Sequence, residues 1–233
     1  MSFPCQISRA AAIAAIIVAP AASASFIEGF NTGTFSGNGA APGYSVALAS
    51  GNWYVLNISS PIGSAGVFRG SSASPFPPQE GAGFAGMNFQ SGSGVSNIKV
   101  YLMTPEITLI DGGTFSFYTR TTSNPSAYPD RLRVVMSTNG ASTASADFST
   151  TLLTVNESLT TTGYPGTWTQ YTVTLSGLGS MMSGRLAFLY DVPNGGPSGA
   201  NSNYIGIDTV AYVPAPGAIA LLGLAGFAGR RRR

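Results

Sequence analysis

Glu28 and Asp208 are the two residues whose chemistry and placement most strongly suggest a site. Each lies among apolar neighbours in a predicted strand, residues 26–30 for the first and 204–213 for the second. The first and last strands of an antiparallel sandwich often lie side by side, and two carboxylates brought together there repel each other. One interpretation is that a structural calcium ion, which prefers such hard oxygen ligands, joins Glu28 and Asp208. In the other, Asp208 accepts hydrogen bonds from backbone amides at a turn and Glu28 points to water.

Most other catalytic chemistry is excluded by residues that the chain lacks. There is no histidine, which excludes Ser-His-Asp and Cys-His catalysis and histidine-based zinc sites. The single cysteine is Cys5, and no phosphate-binding loop of the Walker type occurs. Nine acidic residues leave carboxylate-dependent glycoside hydrolysis as a distant alternative, although most of them lie at strand ends or beside turns. We therefore predict no enzymatic activity, and no cofactor apart from the calcium considered above.

Three aromatic residues, Trp53, Tyr128 and Trp168, could act as stacking platforms for sugar rings. The alternative is that they pack in the core or at its rim. That alternative is stronger for Trp168, because this residue begins an alternating segment. Trp53 and Tyr128 are therefore the candidate glycan-binding residues.

The composition of the central part of the chain favours strands over helices. It is rich in Gly, Ser, Thr, Asn and aromatic residues and poor in Lys, Glu and Leu. Short alternating segments recur, and no long segment has a period of 3.6 residues. The predicted strands are residues 26–30, 52–58, 84–89, 98–103, 114–117, 131–137, 169–175, 185–190 and 204–213. Many short strands separated by turn residues predict an all-β, antiparallel, jelly-roll-like β-sandwich.

Three segments are predicted to be long surface loops: residues 33–43, 70–81 and 193–203. The last of these has almost no apolar content. Loops of this length are uncommon unless they are functional or mobile, and the sequence leaves both interpretations open.

The amino-terminal residues are typical of a secretory signal peptide. A weakly basic start up to Arg9 precedes an apolar run, residues 10–19, and the small residues Ala22 and Ala24 flank Ser23 in a cleavage triplet. We predict export through the secretion translocon, with signal peptidase cleaving after Ala24. Cleavage would remove Cys5, so the mature chain would contain no disulfide. The alternative is a buried amino-terminal helix.

The carboxyl-terminal residues are typical of a sorting segment. A short motif containing Pro214, Ala215 and Pro216 leads into an apolar run, residues 218–228. Four basic residues follow Gly229: Arg230, Arg231, Arg232 and Arg233. Arginines do not cross a membrane readily, so such a segment stops in the bilayer with its arginines in the cytoplasm. The apolar stretch is shorter than the roughly 20 residues of a full span, which favours a temporary membrane anchor.

The charge of the chain argues against binding of nucleic acid. The whole chain carries a net charge of +2, but five of its eleven basic residues are Arg9 and the four terminal arginines. The remainder has six basic and nine acidic residues and is therefore mildly acidic. Nucleic-acid-binding surfaces are instead strongly basic.

The tail resembles the PEP-CTERM sorting signal, which consists of a short proline-containing motif, an apolar span and a basic end. Here Ala215, between Pro214 and Pro216, stands where that family has a glutamate. The resemblance implies processing by an exosortase-like enzyme near Pro214.

The remainder of the chain resembles the choice-of-anchor J domain, and this resemblance covers nearly the whole predicted mature body. It implies a jelly-roll sandwich related to adhesins and carbohydrate-binding modules, with no established activity. The resemblance is carried by residues 26–30, 102–107, 113–121, 130–132, 137–140 and 184–188, by Tyr164, Pro165 and Trp168, and most strongly by residues 203–208.

Together these patterns predict three regions: a signal peptide (residues 1–24), a β-sandwich (25–212) and a sorting segment (213–233). We expect an exported bacterial protein that is held briefly at the inner membrane with its body in the periplasm. It would then reach the cell surface or the extracellular matrix. There it would act as an adhesive or glycan-binding module, and the resemblance implies exopolysaccharide as a partner. The alternative is a purely structural matrix component without a specific ligand.

Overall fold

The computed structural model describes residues 26–71 and 75–215, and their regular structure is almost entirely strand. The predicted signal peptide and nearly all of the sorting segment, from Pro216 onward, lie outside these residues. Two short 3-10 turns occur at Phe89–Ser91 and Ser145–Asp147. The strands are β1 (Phe26–Glu28), β2 (Tyr44–Leu48), β3 (Gly51–Asn57), β4 (Ser60–Ile62), β5 (Phe68–Gly70), β6 (Phe84–Asn88), β7 (Gly92–Met103), β8 (Ile107–Leu109), β9 (Thr114–Thr121), β10 (Leu132–Ser137), β11 (Thr150–Val155), β12 (Thr169–Thr174), β13 (Met182–Gly195) and β14 (Tyr204–Val213).

The strands form two antiparallel sheets that pack as a sandwich, which confirms the predicted fold class. One sheet has the order β12-β9-β14-β6-β5, and β1 also pairs with β14. The other has the order β11-β10-β13-β7-β3-β2, with β4 on β7 and β8 on β13. The core lies between them, where for example Phe117 of β9 meets Phe188 of β13 with ring centroids 4.8 Å apart. No helix in residues 26–71 or 75–215 is long and apolar enough to span a membrane.

All nine predicted strands are present. The prediction for β14 has the observed bounds, whereas β7 and β13 extend well beyond the predicted 98–103 and 185–190. The predictions missed β2, β4, β5, β8 and β11. Three of these have only three residues, which is too short for an alternating pattern to be recognised.

The first and last strands lie side by side, as predicted. Strand β1 pairs with β14 so that Glu28 lies opposite Val210. The preceding residues of β14, Tyr204 to Ile207, pair with β6. Between these two pairings the chain bulges at Thr209, whose φ is +47°. Asp208 therefore lies between the part of β14 that pairs with β6 and the part that pairs with β1.

The predicted surface loop 70–81 is partly buried, which corrects the sequence-based interpretation. Phe76 is only 2% exposed and packs on Phe84, Trp168 and Tyr204 with ring centroids 5.0–5.5 Å away. This aromatic cluster lies on the face of the sheet opposite the main core, because Ile205 and Ile207 point the other way. The Trp168 indole N–H donates to the Pro77 carbonyl at 3.0 Å and so ties the segment down.

The aromatic cluster requires a residue without a side chain at position 206. A Cβ atom there would lie 2.7 Å from Cη2 of Trp168 and 2.8 Å from Cε2 of Phe76. We expect Gly206→Ala to lower the free energy of unfolding by about 1–3 kcal/mol, because two packed rings must move. Chemical denaturation measures this, with exposed Thr172→Ala in the same sheet as a control expected to change it by less than about 0.5 kcal/mol. Equal stability of the two variants would contradict close packing at Gly206.

Candidate functional site

The Glu28 carboxylate is buried and fully engaged by protein donors. The residue is 1% exposed. One oxygen accepts the Phe30 amide at 2.8 Å, and the other accepts the amide and the hydroxyl of Ser50 at 2.9 and 2.7 Å. The same hydroxyl accepts the indole N–H of Trp53 at 2.8 Å. The expectation that Glu28 points to water is therefore wrong: it links β1 to the start of β3.

Asp208 is also buried, and it binds backbone amides as one interpretation predicted. Its Oδ2 accepts the amides of Gln79 and Glu80 at 2.8 and 3.2 Å, and its Oδ1 accepts the Thr209 amide at 2.7 Å. Burial raises the pKa of Asp208 to about 6, against the opposing effect of these hydrogen bonds. The carboxylate thus attaches the segment carrying Phe76 to the bulge in β14.

Calcium at Glu28 and Asp208 stays a prediction. Each carboxylate already has three hydrogen-bond donors, so repulsion between them does not by itself demand a cation. Within residues 26–71 and 75–215 no cluster of three or more acidic, histidine or cysteine residues is suited to a metal ion. A cavity of about 380 Å³ opens beside Glu28 and Glu80. Glu28 is buried and both of its oxygens already accept hydrogen bonds. Glu28 and Glu80 therefore do not provide the two free carboxyl groups that glycoside hydrolysis requires.

Trp53 is not a sugar platform, and this prediction is corrected. Its side chain is 0% exposed and packs edge-on against Phe26 and Phe30, with centroids 5.8 and 5.5 Å away. It lies on the inner face of β3, where alternation alone could not distinguish a buried aromatic from an exposed one. The sequence-based alternative, core packing, applies to Trp53. Trp168 is partly exposed and belongs to the aromatic cluster around Phe76.

Tyr128, in contrast, is 52% exposed and lines a groove at one end of the sandwich. The groove consists of two adjoining cavities of about 240 and 440 Å³ that share Phe89 and Pro197. The larger volume alone lies in the range of about 300–1,000 Å³ that is typical of ligand sites. The first cavity is lined by Phe89, Tyr128, Gly196, Pro197, Gly199, Ser202 and Asn203. The second is lined by Ile62, Gly63, Ser64, Phe89, Gln90, Gly92, Ser93 and Pro197.

Four segments that are distant in sequence meet at this groove: residues 62–64, 89–93, 128 and 196–203. Phe89 begins the 3-10 turn after β6, where the Asn88 side chain accepts the Gln90 amide at 3.0 Å and caps the turn. The Phe89 amide donates to the Asn203 carbonyl at 3.0 Å, which joins this turn to the loop before β14. Phe89 is 37% exposed, so the groove presents two accessible aromatic rings, one from Phe89 and one from Tyr128.

The loop predicted at residues 193–203 begins as strand and is then fastened by hydrogen bonds. Its first three residues belong to β13. The Gly196 amide donates to the Ser202 hydroxyl at 2.9 Å, and the Ser202 amide donates to the Pro129 carbonyl at 2.9 Å. Gly196 has a φ of +90°, which a residue with a side chain rarely adopts. The loop therefore has a defined shape on which Pro197 and Asn203 are placed.

A buried carboxylate, Asp130, lies directly beneath the groove. It is 0% exposed, and its Oδ1 accepts the Tyr190 hydroxyl at 2.6 Å and the Asn203 amide at 2.7 Å. Its Oδ2 accepts the Thr121 hydroxyl at 2.7 Å. Burial raises the pKa of Asp130, against these hydrogen bonds. Burial and the neighbouring carboxylate raise the pKa of Tyr190 well above its usual value, so its hydroxyl remains a donor.

The sequence predicted part of this groove. It identified Tyr128 and residues 193–203, which include Pro197, but not Phe89 or the supporting role of Asp130. The available signal was the density of Gly, Pro, Asn and Ser after β13 and the tyrosine between two prolines, Pro125 and Pro129. Nothing in the sequence placed Phe89 next to them, because that proximity depends on the pairing of β6 with β14.

Comparison with known proteins supports the fold. No protein-family model and no curated protein matches the chain. The K1 adhesin domain of Lys-gingipain from Porphyromonas gingivalis W83 matches with a TM-score of 0.53 and 20% identity, covering 82% of this chain and 97% of that domain. The K3 adhesin domain of the same protein matches with a TM-score of 0.51 and 18% identity, covering 82% and 100%. At these identities the likeness shows a shared β-sandwich fold and no more.

A carbohydrate-binding module solved with β-1,4-galactotriose also matches, at a TM-score of 0.42 and 12% identity. The match covers 69% of this chain and 86% of that one. This score is too low to support an argument, so the statement about fold depends on the two adhesin domains.

The position of Asp130 predicts a large loss of stability on its removal. We expect Asp130→Ala to lower the free energy of unfolding by about 2–5 kcal/mol, because two hydroxyls and an amide would lose their acceptor. Asp130→Asn, which keeps the shape and one acceptor oxygen, should lose less. Urea unfolding measures both.

Glu157→Ala is the control for removal of an acidic side chain. Glu157 is 59% exposed and pairs with Arg133 at the surface, so we expect a loss of less than about 1 kcal/mol. A loss for Asp130→Ala no larger than this would show that Asp130 does not hold the groove loops to the core.

Proposed function

We propose that this protein is an exported adhesive module whose end groove binds glycans. The observation that carries the proposal is the groove itself, where the exposed rings of Phe89 and Tyr128 lie among uncharged polar groups. Sites for small ligands typically combine apolar or aromatic walls with a few placed polar groups. The protein acts by binding, and no reaction is assigned to it.

The groove matches the two-sided chemistry of a sugar ring. The C–H face of a pyranose packs on aromatic rings, as apolar surface does. Its hydroxyls need hydrogen-bond partners, which the Asn203 amide oxygen, the Gln90 amide and the Ser93 hydroxyl can offer. The hydrogen bonds that fasten residues 196–203 also reduce the entropy lost when a ligand binds.

The similar solved structures are compatible with this function. Two of them are adhesin domains of Lys-gingipain, so the fold serves adhesion in another protein. The sequence of this chain resembles the choice-of-anchor J domain, a family of surface-anchored proteins, which supports placement outside the cell. A structural matrix component without a ligand is the alternative, and it makes the opposite prediction for glycan binding.

Loss of the exposed aromatic rings tests the binding function. We expect Tyr128→Ala and Phe89→Ala each to weaken the affinity for a bound polysaccharide by about tenfold or more, the equivalent of about 1.4 kcal/mol of stacking. The wild type is first screened on a glycan array, and affinities are then measured by affinity electrophoresis.

Met181→Ala is the matched control, because Met181 is 49% exposed and does not line the groove. It should bind like the wild type. Absence of binding to every glycan tested would favour the structural alternative. Binding that survives the loss of both aromatic rings would place the site elsewhere.

We propose further that the terminal segments direct the protein to the cell surface. The translocon and signal peptidase would export it and cleave after Ala24. The apolar tail would hold it in the inner membrane until an exosortase-like enzyme cleaves near Pro214 and frees the body. Support comes from the order of these segments in the sequence.

The terminal arginines test this route. Replacing Arg230, Arg231, Arg232 and Arg233 with alanine removes the charge that stops the tail in the membrane. We expect the variant to be retained less and processed differently, as shown by immunoblots of membrane, surface and medium fractions. Replacing the same four residues with lysine keeps the charge and should preserve sorting. Identical maturation of the alanine variant and the wild type would contradict the sorting function of the tail.

A further inference from the structure

Among residues 26–71 and 75–215, none of those that line the groove proposed to bind glycans has a charged side chain. Every residue that lines either of its cavities is apolar, aromatic, glycine, serine or an amide. The charged group immediately beneath it is the acid Asp130, whose Oδ1 accepts the amide of the groove residue Asn203. An anionic sugar entering the groove would therefore lose hydration without gaining a cationic partner.

The arginines of the body are committed to other contacts. Arg69 donates to the carbonyls of Phe30, Asn31 and Ala82. Arg120 donates to the Gly166 carbonyl and lies 4.4 Å above the Phe76 ring. Each of these side chains fastens a loop segment to the sandwich, so neither is available to a ligand without loss of that contact.

The other three arginines of the body also have partners. Arg131 and Arg133 both bind the Asp191 carboxylate, at 2.9 and 3.0 Å. Arg185 donates to the carbonyls of Thr104 and Ala141. Lys99 is the remaining basic residue of the body. It is exposed on β7 and lines neither cavity, and it lies three positions, about 10 Å, along the strand from Ser96, which is beside the groove residue Gly196.

We infer that the groove binds an uncharged glycan and excludes acidic polysaccharides such as uronate polymers. This inference depends on the proposed function and names its ligand class. Phe89 and Tyr128 can stack on any pyranose ring. Because no cationic side chain lines the groove, neutral sugars are favoured over anionic ones. Selection of this kind comes from leaving one ligand class without compensation for its lost hydration.

Binding to neutral and acidic polymers in parallel tests the inference. The purified full-length protein is run by affinity electrophoresis against galactan, laminarin and dextran, and against alginate and polygalacturonate, at low and high salt. We expect at least one neutral polymer to bind, with an affinity that changes less than about twofold with salt. We expect the acidic polymers to bind at least about tenfold more weakly.

A cation placed in the groove should change this preference. Ser93→Lys is expected to create salt-sensitive binding of alginate or polygalacturonate, because it supplies the missing positive charge. Thr172→Lys adds the same charge at an exposed position on β12, outside the groove, and should not. Equal gains in both variants would assign the effect to overall charge and overturn the inference.

The outcomes separate the inference from the proposed function. If the wild type binds an acidic polymer as tightly as any neutral one, and Tyr128→Ala abolishes that binding, the groove binds glycans but the inference of neutral ligands is wrong. If the wild type binds none of the polymers and no glycan on the array, the proposed function itself fails, and this inference fails with it.

Discussion

The groove end of the sandwich depends on one buried carboxylate. Asp130 is removed from solvent, with its oxygens occupied by the hydroxyls of Thr121 and Tyr190 and the amide of Asn203. These residues belong to β9, β13 and the segment entering β14, which connects both sheets. A carboxylate buried without hydrogen-bond donors would be strongly unfavourable, and the buried donors would be equally unfavourable without an acceptor. The burial of Asp130 is therefore stable only with these three groups in place. The result is a fixed point from which the groove loops extend.

Several charged groups among the described residues hold the structure together. Glu28 ties β1 to Ser50, and Asp208 attaches the segment carrying Phe76 to the bulge in β14. Arg69 and Arg120 bind backbone carbonyls of loops. The described residues that line the groove are uncharged, and two of them, Phe89 and Tyr128, present exposed aromatic rings. Such a surface supports the proposed recognition of glycans through stacking and neutral hydrogen bonds.

The sequence and the structure agree where information is local. Alternating segments such as residues 204–213 identify a strand because every second side chain faces the core. They do not report how deep that face lies, which explains why Trp53 was interpreted as a platform although it is buried against Phe26 and Phe30. Phe76 was assigned to a surface loop for a similar reason: its burial depends on Gly206, which lies 130 positions away in the chain and leaves room for the ring.

The amino-acid sequence by itself determined the all-strand class and the absence of histidine and thiol chemistry in the body. Composition and a two-residue period are sufficient for such conclusions because they are properties of single segments. Only the tertiary structure decided which aromatic rings reach solvent and which loops share a groove. Phe89, Tyr128 and Pro197 meet because β6 pairs with β14 and because Asp130 receives Asn203, and both contacts join residues more than 70 positions apart. Such contacts arise from packing of the whole chain, and no local pattern records them.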